Sequence, residues 1–377
     1  MSANELQIIA DFLSRAMLPE DVFGRISGNR IEQETGLKSS FRKLAKALHP
    51  DIYDGDTIAR ELAAKWFNEL EKMRKFAEEA VAKGEYGNHE HRFPWKVPIL
   101  IKGKYIVESA FKAGNICDLY NASIESSGTR AKTILKIARN SRDNDLLLTE
   151  KNTLEKIREK MKVKGAKDWP STIPEITDSF LLDDEKTKRR VNVMEKFDGF
   201  YSAEDIKKRL PSGVDARTIA WMWKRLLILL EWTNKAGFVH GAILPPHILF
   251  YPDNAGGKSR DIRKHSIRVI DWCYSIELKS RTKLSAWIPE YKDFYAPEII
   301  DKEPLGVYTD LYMGAKTMMH LVDAKNIPNS IYGSLLQCTN FPPAKRPQDI
   351  GKYFDEFTAI LEKEYGRPKY HDFNLPS

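Results

Sequence analysis

"FVHGAILPPHILF", residues 238–250, is the stretch that decides how the second half of the chain folds. An apolar, strand-like run stops at Gly241, passes two consecutive prolines and returns to an apolar run. Glycine and proline between two apolar runs indicate a loop with a well-defined backbone. The pattern is that of a loop that holds polar groups in place, yet it contains no charged side chain between His240 and His247.

A long helical pattern precedes this loop, and short strand patterns precede the helix. Residues 215–237, "DARTIAWMWKRLLILLEWTNKAG", predict a buried helix that ends at Gly237, a residue type common just past a helix end. Upstream, one helical segment at 144–161 lies among five strand-like runs. These runs are "KYIVESAF" at 104–111, "ICDLYNASI" at 116–124, "AKTILKIAR" at 131–139, "SFLLDD" at 179–184 and "RRVNVMEKF" at 189–197. The sequence therefore predicts a small β-rich lobe followed by a larger helical lobe.

The order of these elements resembles the protein kinase fold over about residues 103–365. The matching residues are Gly114 in the first strand turn, Lys136 in "ILKIAR", Glu150 in the next helix, Met194 as gatekeeper of a hinge that includes Glu195 and Phe197, Asp271 in "VIDWCYS", Glu298 in "FYAPEII", Asp310 and Arg346. Together and in this order, these residues indicate the kinase fold much more specifically than any one of them does alone.

The resemblance implies a nucleotide site for ATP and Mg²⁺. In that reading, Lys136 contacts the phosphates and is fixed by Glu150, with Glu155 as the other candidate partner. Gly114 and the backbones of Glu195 and Phe197 complete the nucleotide contacts, and Asp271 is the metal ligand. Structural roles are implied for Glu298, which pairs with Arg346, and for Asp310, which supports the catalytic loop.

The stretch at 238–250 departs from the family's H-R-D-L-x-x-x-N pattern. His240 is kept, but Gly241 replaces the arginine, Ala242 the catalytic aspartate, Leu244 the following lysine, and His247 the metal-binding asparagine. Phosphoryl transfer requires a carboxylate that orients the attacking hydroxyl and a cation at the γ-phosphate. Methyl and isobutyl groups supply neither, so the domain looks like a pseudokinase.

Three functions for the kinase-like domain follow from this departure. It binds a nucleotide as a conformational switch, or it is a scaffold in which Lys136 and Glu150 form a structural ion pair. The alternative is an active, unorthodox protein kinase or nucleotidyl transferase without the usual aspartate.

The N-terminal part has two helical patterns around a short loop. Leu37, Phe41, Leu44 and Leu48 form one stripe of a helix over 35–48, and a second amphipathic helix spans about 57–82. Between them lies "HPDIYDGD", in which proline and glycine end the first helix. The basic residues Lys38, Arg42, Lys43 and Lys46 fall on the remaining surface of the first helix.

This segment resembles a J domain over about residues 18–84, a module that stimulates ATP hydrolysis by DnaK-type chaperones. The loop tripeptide is His49, Pro50 and Asp51. The resemblance implies that this tripeptide and the four basic residues bind an acidic surface of the chaperone. The alternative is an ordinary helical hairpin whose charges are simply solvated.

The predicted fold class is α+β, with an all-α J-domain-like hairpin at 1–84, a linker at 85–102, a kinase-like small lobe at 103–200 and a helical lobe at 201–377. The partners expected are a DnaK-type chaperone and an unknown protein client. Nucleic acid is not an expected partner, because the basic runs at 155–167 and 186–190 are typical of solvated surfaces.

Composition favours a cytoplasmic protein. The chain of 377 residues is 42% hydrophobic, and its N-terminus lacks the pattern of a signal peptide or anchor. The richest apolar run contains Lys224 and Arg225 and is too short to span a membrane. Three widely spaced cysteines argue against disulfides and zinc. The net charge of +7 is compatible with an acidic partner but names none.

Overall fold

Two compact units make up the chain in the computed structural model, Met1–Lys96 and Val97–Ser377. The structure describes residues 29–53, 55–84, 86, 99–114, 116–126, 129–162, 172–184, 187–255, 265–280, 284 and 287–376, together with 6, 7, 9, 10, 13, 16, 19–24 and 26. Most of the predicted linker at 85–102 lies outside the described residues, as does the end of the basic run at 155–167. The predicted four-part division of the chain remains a prediction.

The first unit is helical. Its described elements are α1 (Pro19–Phe23), α2 (Arg30–Ala47), a 3-10 turn (Pro50–Tyr53) and α3 (Thr57–Ala82). Leu37 and Leu48 from α2 are buried in one core with Ala63, Leu70 and Ala77 from α3. The two predicted helices are therefore present, and apolar stripes hold them together.

Local capping explains where these helices begin. Asn29 caps α2 by accepting a hydrogen bond from the Glu32 N–H at 3.1 Å, and Glu32 accepts one in return from the Asn29 N–H at 2.8 Å. This capping box starts the helix five residues before the predicted start at 35. In α3, Asp56 accepts the Ala59 N–H at 3.0 Å, at the predicted start. Ile58, near the start of the predicted amphipathic helix, is 81% exposed and lies outside the core.

The second unit begins with an antiparallel sheet in the order β1-β2-β3-β4-β6-β5. Its strands are β1 (Ile99–Ile101), β2 (Tyr105–Ala113), β3 (Cys117–Ser126), β4 (Thr129–Ala138), β5 (Ile176–Asp184) and β6 (Thr187–Glu195). The five predicted strands are confirmed, and β1 is an additional edge strand at the end of the predicted linker. One helix, α4 (Asn144–Lys162), follows β4 and packs against β6.

The rest of the second unit is mainly helical. Its helices are α5 (Ala203–Arg209), α6 (Ala216–Lys235), α7 (Pro297–Ile300), α8 (Val307–Leu321), α9 (Asn329–Gln337) and α10 (Ile350–Tyr365), with the short strands β7 (Tyr201–Ser202), β8 (Phe238–Val239), β9 (Ile248–Phe250), β10 (Ile267–Val269) and β11 (Ile276–Glu277). The predicted buried helix is α6, which packs against α8 and α10. Gly237 follows it with φ of +86°, as expected for a residue just past a helix.

None of the described helices combines the length and apolar character needed to cross a membrane.

Candidate functional site

The candidate site lies where β4, α4 and the segment after β10 meet, and Lys136 is at its centre. Lys136 is 4% exposed. Its Nζ lies 2.9 Å from Glu150 Oε1 on α4 and 2.5 Å from Asp271 Oδ1 after β10. The same ammonium donates to Cys273 Sγ at 3.2 Å. Three residues predicted to act together are thus brought into direct contact.

Asn192 orients Glu150. It lies on β6, and its Nδ2 donates to Glu150 Oε2 at 3.1 Å and to the Leu147 carbonyl at 2.9 Å. Sequence reasoning missed this residue, although an asparagine inside the apolar strand "VNVM" is a signal of a satisfied buried polar group. Glu155, the other candidate partner of Lys136, instead binds Lys151 at 2.9 Å on the outer face of α4.

Electrostatic interactions keep both Lys136 and Asp271 charged. Burial by itself would lower the pKa of Lys136, but the charges of Asp271 and Glu150 raise that pKa well above its usual range. Burial would likewise raise the pKa of Asp271, but Lys136 and His247 hold it well below its usual range. Burial also raises the pKa of Cys273, so this side chain is a neutral thiol.

Asp271 also contacts His247. Its backbone is left-handed, with φ of +68°, a conformation that aspartate tolerates better than most residues. Oδ1 accepts from Lys136, while Oδ2 lies 3.1 Å from His247 Nε2. The other ring nitrogen, Nδ1, lies 2.8 Å from the Ala242 carbonyl oxygen. The catalytic-loop position 247 is therefore joined directly to the predicted metal ligand.

Asp310 forms hydrogen bonds to the backbone of the loop at 238–250. Its carboxylate accepts the N–H groups of His240 at 2.7 Å and Gly241 at 3.0 Å. Burial raises the pKa of Asp310 to about 7, against the two backbone hydrogen bonds, which favour the charged form. His240 donates from Nε2 to the Ile270 carbonyl and accepts the Ala242 N–H at Nδ1, and burial lowers its pKa to about 3. The histidine is thus a neutral structural residue.

Gly241 has a conformational reason to be glycine. Its φ is +77°, and a Cβ at this position would lie 2.6 Å from the Tyr274 carbonyl oxygen. A side chain here is excluded both by the left-handed backbone and by that contact. Glycine rather than arginine at position 241 therefore allows the loop to approach the segment after Asp271 closely.

The positions of the missing catalytic groups are filled with apolar atoms. Ala242 and Leu244 are both fully buried. The nearby acidic groups of Glu150, Asp271 and Asp310 are each engaged by the contacts described above. In this arrangement each of these three carboxylates already has a hydrogen-bonding partner.

The remaining predicted nucleotide contacts lie at two edges of the small lobe. The Gly114 N–H donates to the Cys117 carbonyl at 2.9 Å, so it closes a tight hairpin. At the hinge, the guanidinium of Arg268 lies 5.3 Å from the ring centre of Phe197. Burial raises the pKa of Glu195, and the charge of Arg268 opposes this shift. Met194, the predicted gatekeeper, is buried opposite Ile134 in the adjacent strand.

Glu298 and Arg346 form a buried bidentate ion pair, with Nη1 to Oε1 at 2.6 Å and Nη2 to Oε2 at 3.1 Å. Arg346 also donates from Nε to the Asn340 carbonyl at 2.8 Å. A planar guanidinium with this many satisfied donors fixes the start of α7 against the segment before α10.

The loop of the first unit presents its polar side chains to solvent. The side chain of His49 is 51% exposed and that of Asp51 is 72% exposed. His49 Nδ1 accepts the Asp51 N–H at 3.4 Å, and Pro50 begins the 3-10 turn. Below the loop, Tyr53 donates to the Ala47 carbonyl at 2.9 Å, which ties the turn to the end of α2.

The outer face of α2 is basic. Lys38, Arg42, Lys43 and Lys46 are exposed. In the described part of the first unit, no salt bridge involves any of these four side chains. A shallow cavity of about 370 Å³ lies along this face and is lined by Thr35, Lys38, Ser39, Arg42 and Lys43.

Solved structures with a similar fold include two protein kinase domains. The chain is 12% identical to the PF14_0431 kinase domain, with a TM-score of 0.53, and the match covers 73% of this chain and 98% of that one. It is 13% identical to the BubR1 kinase domain, with a TM-score of 0.52 and coverage of 76% and 92%. The first unit is too short to account for such coverage. The second unit has a protein-kinase-like fold.

The likeness concerns the fold alone at these identities. No protein-family model matches the sequence, and no curated protein sequence matches it either.

The donors around Asp271 fit magnesium only in part. A kinase-like fold implies Mg²⁺ with ATP, and Mg²⁺ takes oxygen ligands. Asp271 supplies a carboxylate oxygen, but the second donor beside it is the imidazole nitrogen of His247. These residues therefore do not form the all-oxygen site that Mg²⁺ prefers.

Proposed function

We propose that this protein is a J-domain co-chaperone that carries a kinase-like domain with a nucleotide cleft but without phosphoryl-transfer activity. The first unit would recruit a DnaK-type chaperone and stimulate its ATP hydrolysis. The second would bind a protein client or report nucleotide binding. The enzymatic activity of the assembly is then that of the chaperone.

The exposed tripeptide His49, Pro50 and Asp51 is the observation that carries the co-chaperone proposal. It lies at the junction of α2 and α3, and both of its ionisable side chains face solvent. The basic face of α2 adds a surface suited to an acidic partner. A helical hairpin whose charges are simply solvated does not require a defined, exposed turn beside the basic face of α2.

The direct test is stimulation of a DnaK-type chaperone's ATP hydrolysis by the full-length protein. We expect His49→Gln to abolish stimulation, because the exposed imidazole is the group presented to the partner. Lys72→Gln, an exposed lysine further along α3, is the matched control and is expected to stimulate normally. Equal stimulation by wild type and His49→Gln would reject the J-domain assignment.

Nucleotide binding by the second unit is supported by the charged network of the cleft. Lys136 is held between Glu150 and Asp271, and a bound phosphate oxygen would replace one of the three contacts that its ammonium makes with Glu150, Asp271 and Cys273. When bound, a divalent metal would supply charge neutralisation at the phosphates, and Asp271 and His247 are the residues placed to hold it. Ala242 and Leu244 leave the loop without a base or a γ-phosphate cation.

An active phosphotransferase or nucleotidyl transferase is the second candidate function. The observation in its favour is that Lys136, Glu150 and Asp271 are all in contact, as a nucleotide site requires. Transfer of label from ATP to protein, lost in Asp271→Ala, would support an enzyme. Absence of transfer in a protein that binds ATP would support the co-chaperone with a nucleotide switch.

A reducing cytoplasmic location belongs to the same proposal. Cys117, Cys273 and Cys338 are all free and buried. Free thiols throughout a chain of this size are typical of reducing compartments.

A further inference from the structure

His247 is held in the way that metal-binding histidines are held. It is 6% exposed, and its Nδ1 lies 2.8 Å from the Ala242 carbonyl oxygen. Because a carbonyl can only accept, Nδ1 carries the hydrogen, and a metal ion at Nε2 would take the place of the hydrogen that this nitrogen shares with Asp271. A backbone carbonyl bound to one ring nitrogen, which leaves the other nitrogen for the ion, is the usual arrangement for metal-binding histidines.

The distance between His247 Nε2 and a carboxylate oxygen of Asp271 is close to the distance expected between two ligands of one metal ion. The distance from Nε2 to Asp271 Oδ2 is 3.1 Å. Two donors that each lie about 2.1 Å from a metal, at about a right angle, are separated by roughly 3 Å. The other oxygen of Asp271 is occupied by Lys136 at 2.5 Å, so the two oxygens of this carboxylate have separate partners.

A neighbouring cluster of donors is not a metal site. Glu150, Asp271 and Cys273 bring three ligand atoms within 4.8 Å of one another. The ammonium of Lys136 contacts all three, at 2.9, 2.5 and 3.2 Å. A fixed cation already fills this space, so a metal ion is expected only on the His247 side of Asp271.

We propose that His247 Nε2 and Asp271 Oδ2 form a site for a divalent transition-metal ion such as Co²⁺, in preference to Mg²⁺. Imidazole favours first-row transition metals, whereas Mg²⁺ favours oxygen. An asparagine at 247 would offer the same N–H to the Ala242 carbonyl but an oxygen to the ion. The histidine therefore keeps the hydrogen bond of the loop and changes the atom that faces the metal.

This inference deepens the proposed nucleotide cleft, since phosphate oxygens and water would fill the coordination positions that two protein ligands leave open. The metal ion itself is nevertheless the ligand that His247 selects. Metal and nucleotide can therefore be tested separately, and the failure of one does not imply the failure of the other.

The test is calorimetric titration of the full-length protein with Co²⁺ and with Mg²⁺, first alone and then with ATP present. We expect Co²⁺ to bind at one site at least about tenfold more tightly than Mg²⁺. His247→Asn should weaken Co²⁺ binding by about tenfold or more and remove the preference. His49→Asn, which removes an exposed histidine of the other unit, is the control and should leave the Co²⁺ site intact.

A spectroscopic measurement on the wild-type protein tests the same site without depending on whether the His247→Asn variant folds. Pulsed electron paramagnetic resonance of bound Mn²⁺ should show modulation from a directly coordinated nitrogen. Several results would overturn the inference: no nitrogen coupling, Mg²⁺ binding as tight as Co²⁺, Co²⁺ binding unchanged in His247→Asn, or no Co²⁺ binding under either condition. If the protein binds ATP but does not prefer Co²⁺ to Mg²⁺, the metal site is rejected and the nucleotide proposal stands. If it binds Co²⁺ selectively but does not bind ATP, only the nucleotide proposal is rejected.

Discussion

Gly241 shows how a single residue sets the shape of the catalytic loop. Its backbone is left-handed, and the Tyr274 carbonyl oxygen lies where a side chain would begin. We predict that Gly241→Ala destabilises the protein by about 1–2 kcal/mol through the backbone and by a similar amount through the clash. Gly103→Ala, with φ of +62° and open space around it, is the control and should lose only the backbone part. Denaturant unfolding measures both, and equal losses would contradict the predicted clash.

Two buried groups beside Gly241 should respond to pH in opposite directions. His240 has a pKa of about 3 against an ordinary value of 6.5, so its contribution to stability is lost as pH falls from 6.5 towards 3. Asp310 has a pKa of about 7 against an ordinary value of 3.8, so its contribution is lost as pH rises from about 4 through 7. Between about pH 4 and 6.5 the two effects oppose each other.

Single substitutions should reveal each effect. Relative to wild type, His240→Gln should gain stability as pH falls from 7 to 4, because only the Asp310 effect remains. Asp310→Asn should lose stability over the same range, because only the His240 effect remains. Melting temperatures measured at several pH values test this. Parallel pH profiles for wild type and both variants would show that the two groups do not titrate as their burial requires.

At the scale of elements, the contact between β4 and α4 depends on one buried cation. Lys136 separates the carboxylates of Glu150 and Asp271, and its removal leaves two buried negative charges without the ammonium between them. We predict that Lys136→Met lowers the free energy of unfolding by about 3–5 kcal/mol. Lys156→Met, which removes an exposed ion pair between α4 and Glu277 of β11, should cost at most about 1 kcal/mol. Similar losses for the two variants, measured by denaturant unfolding, would contradict this account.

Most elements were predictable from local patterns. Helix α3 and the strands that carry Lys136 and Met194 follow from apolar periodicity, since the period of a buried face is fixed by backbone geometry. The start of α2 was missed because a capping box at Asn29 outweighs the weakly apolar first turns. The edge strand β1 was missed because three residues are too few for a periodic signal.

The sequence pointed to the residues of the candidate site but not to the contacts between them. Lys136, Glu150 and Asp271 stand at positions whose roles the family resemblance implies. The hydrogen bond from Asn192 to Glu150 and the approach of Gly241 to Tyr274 join residues that are distant in sequence or on different elements. Such contacts depend on how elements pack, and periodicity contains no information about packing between elements.

At the scale of the whole molecule, the two candidate sites belong to separate units. Each unit has its own apolar core, and each site is built from residues of one unit only. We predict that His49→Gln leaves ATP binding unchanged and that Asp271→Ala leaves stimulation of the chaperone unchanged. Calorimetry and the chaperone ATPase assay measure the two effects. Loss of either activity through the substitution in the other unit would contradict independent sites.

The measurement that tests the central claim most directly is calorimetric titration of the full-length protein with ATP, with Mg²⁺ and Mn²⁺ in separate runs. The account predicts a single binding event in the wild type that is lost in both Lys136→Ala and Asp271→Ala, because in the proposed site these residues would contact the phosphates and the metal ion. Lys156→Ala, an exposed lysine on α4, should bind normally. No binding heat in the wild type with either metal, or binding that survives in both cleft variants, would contradict a nucleotide cleft built around Lys136.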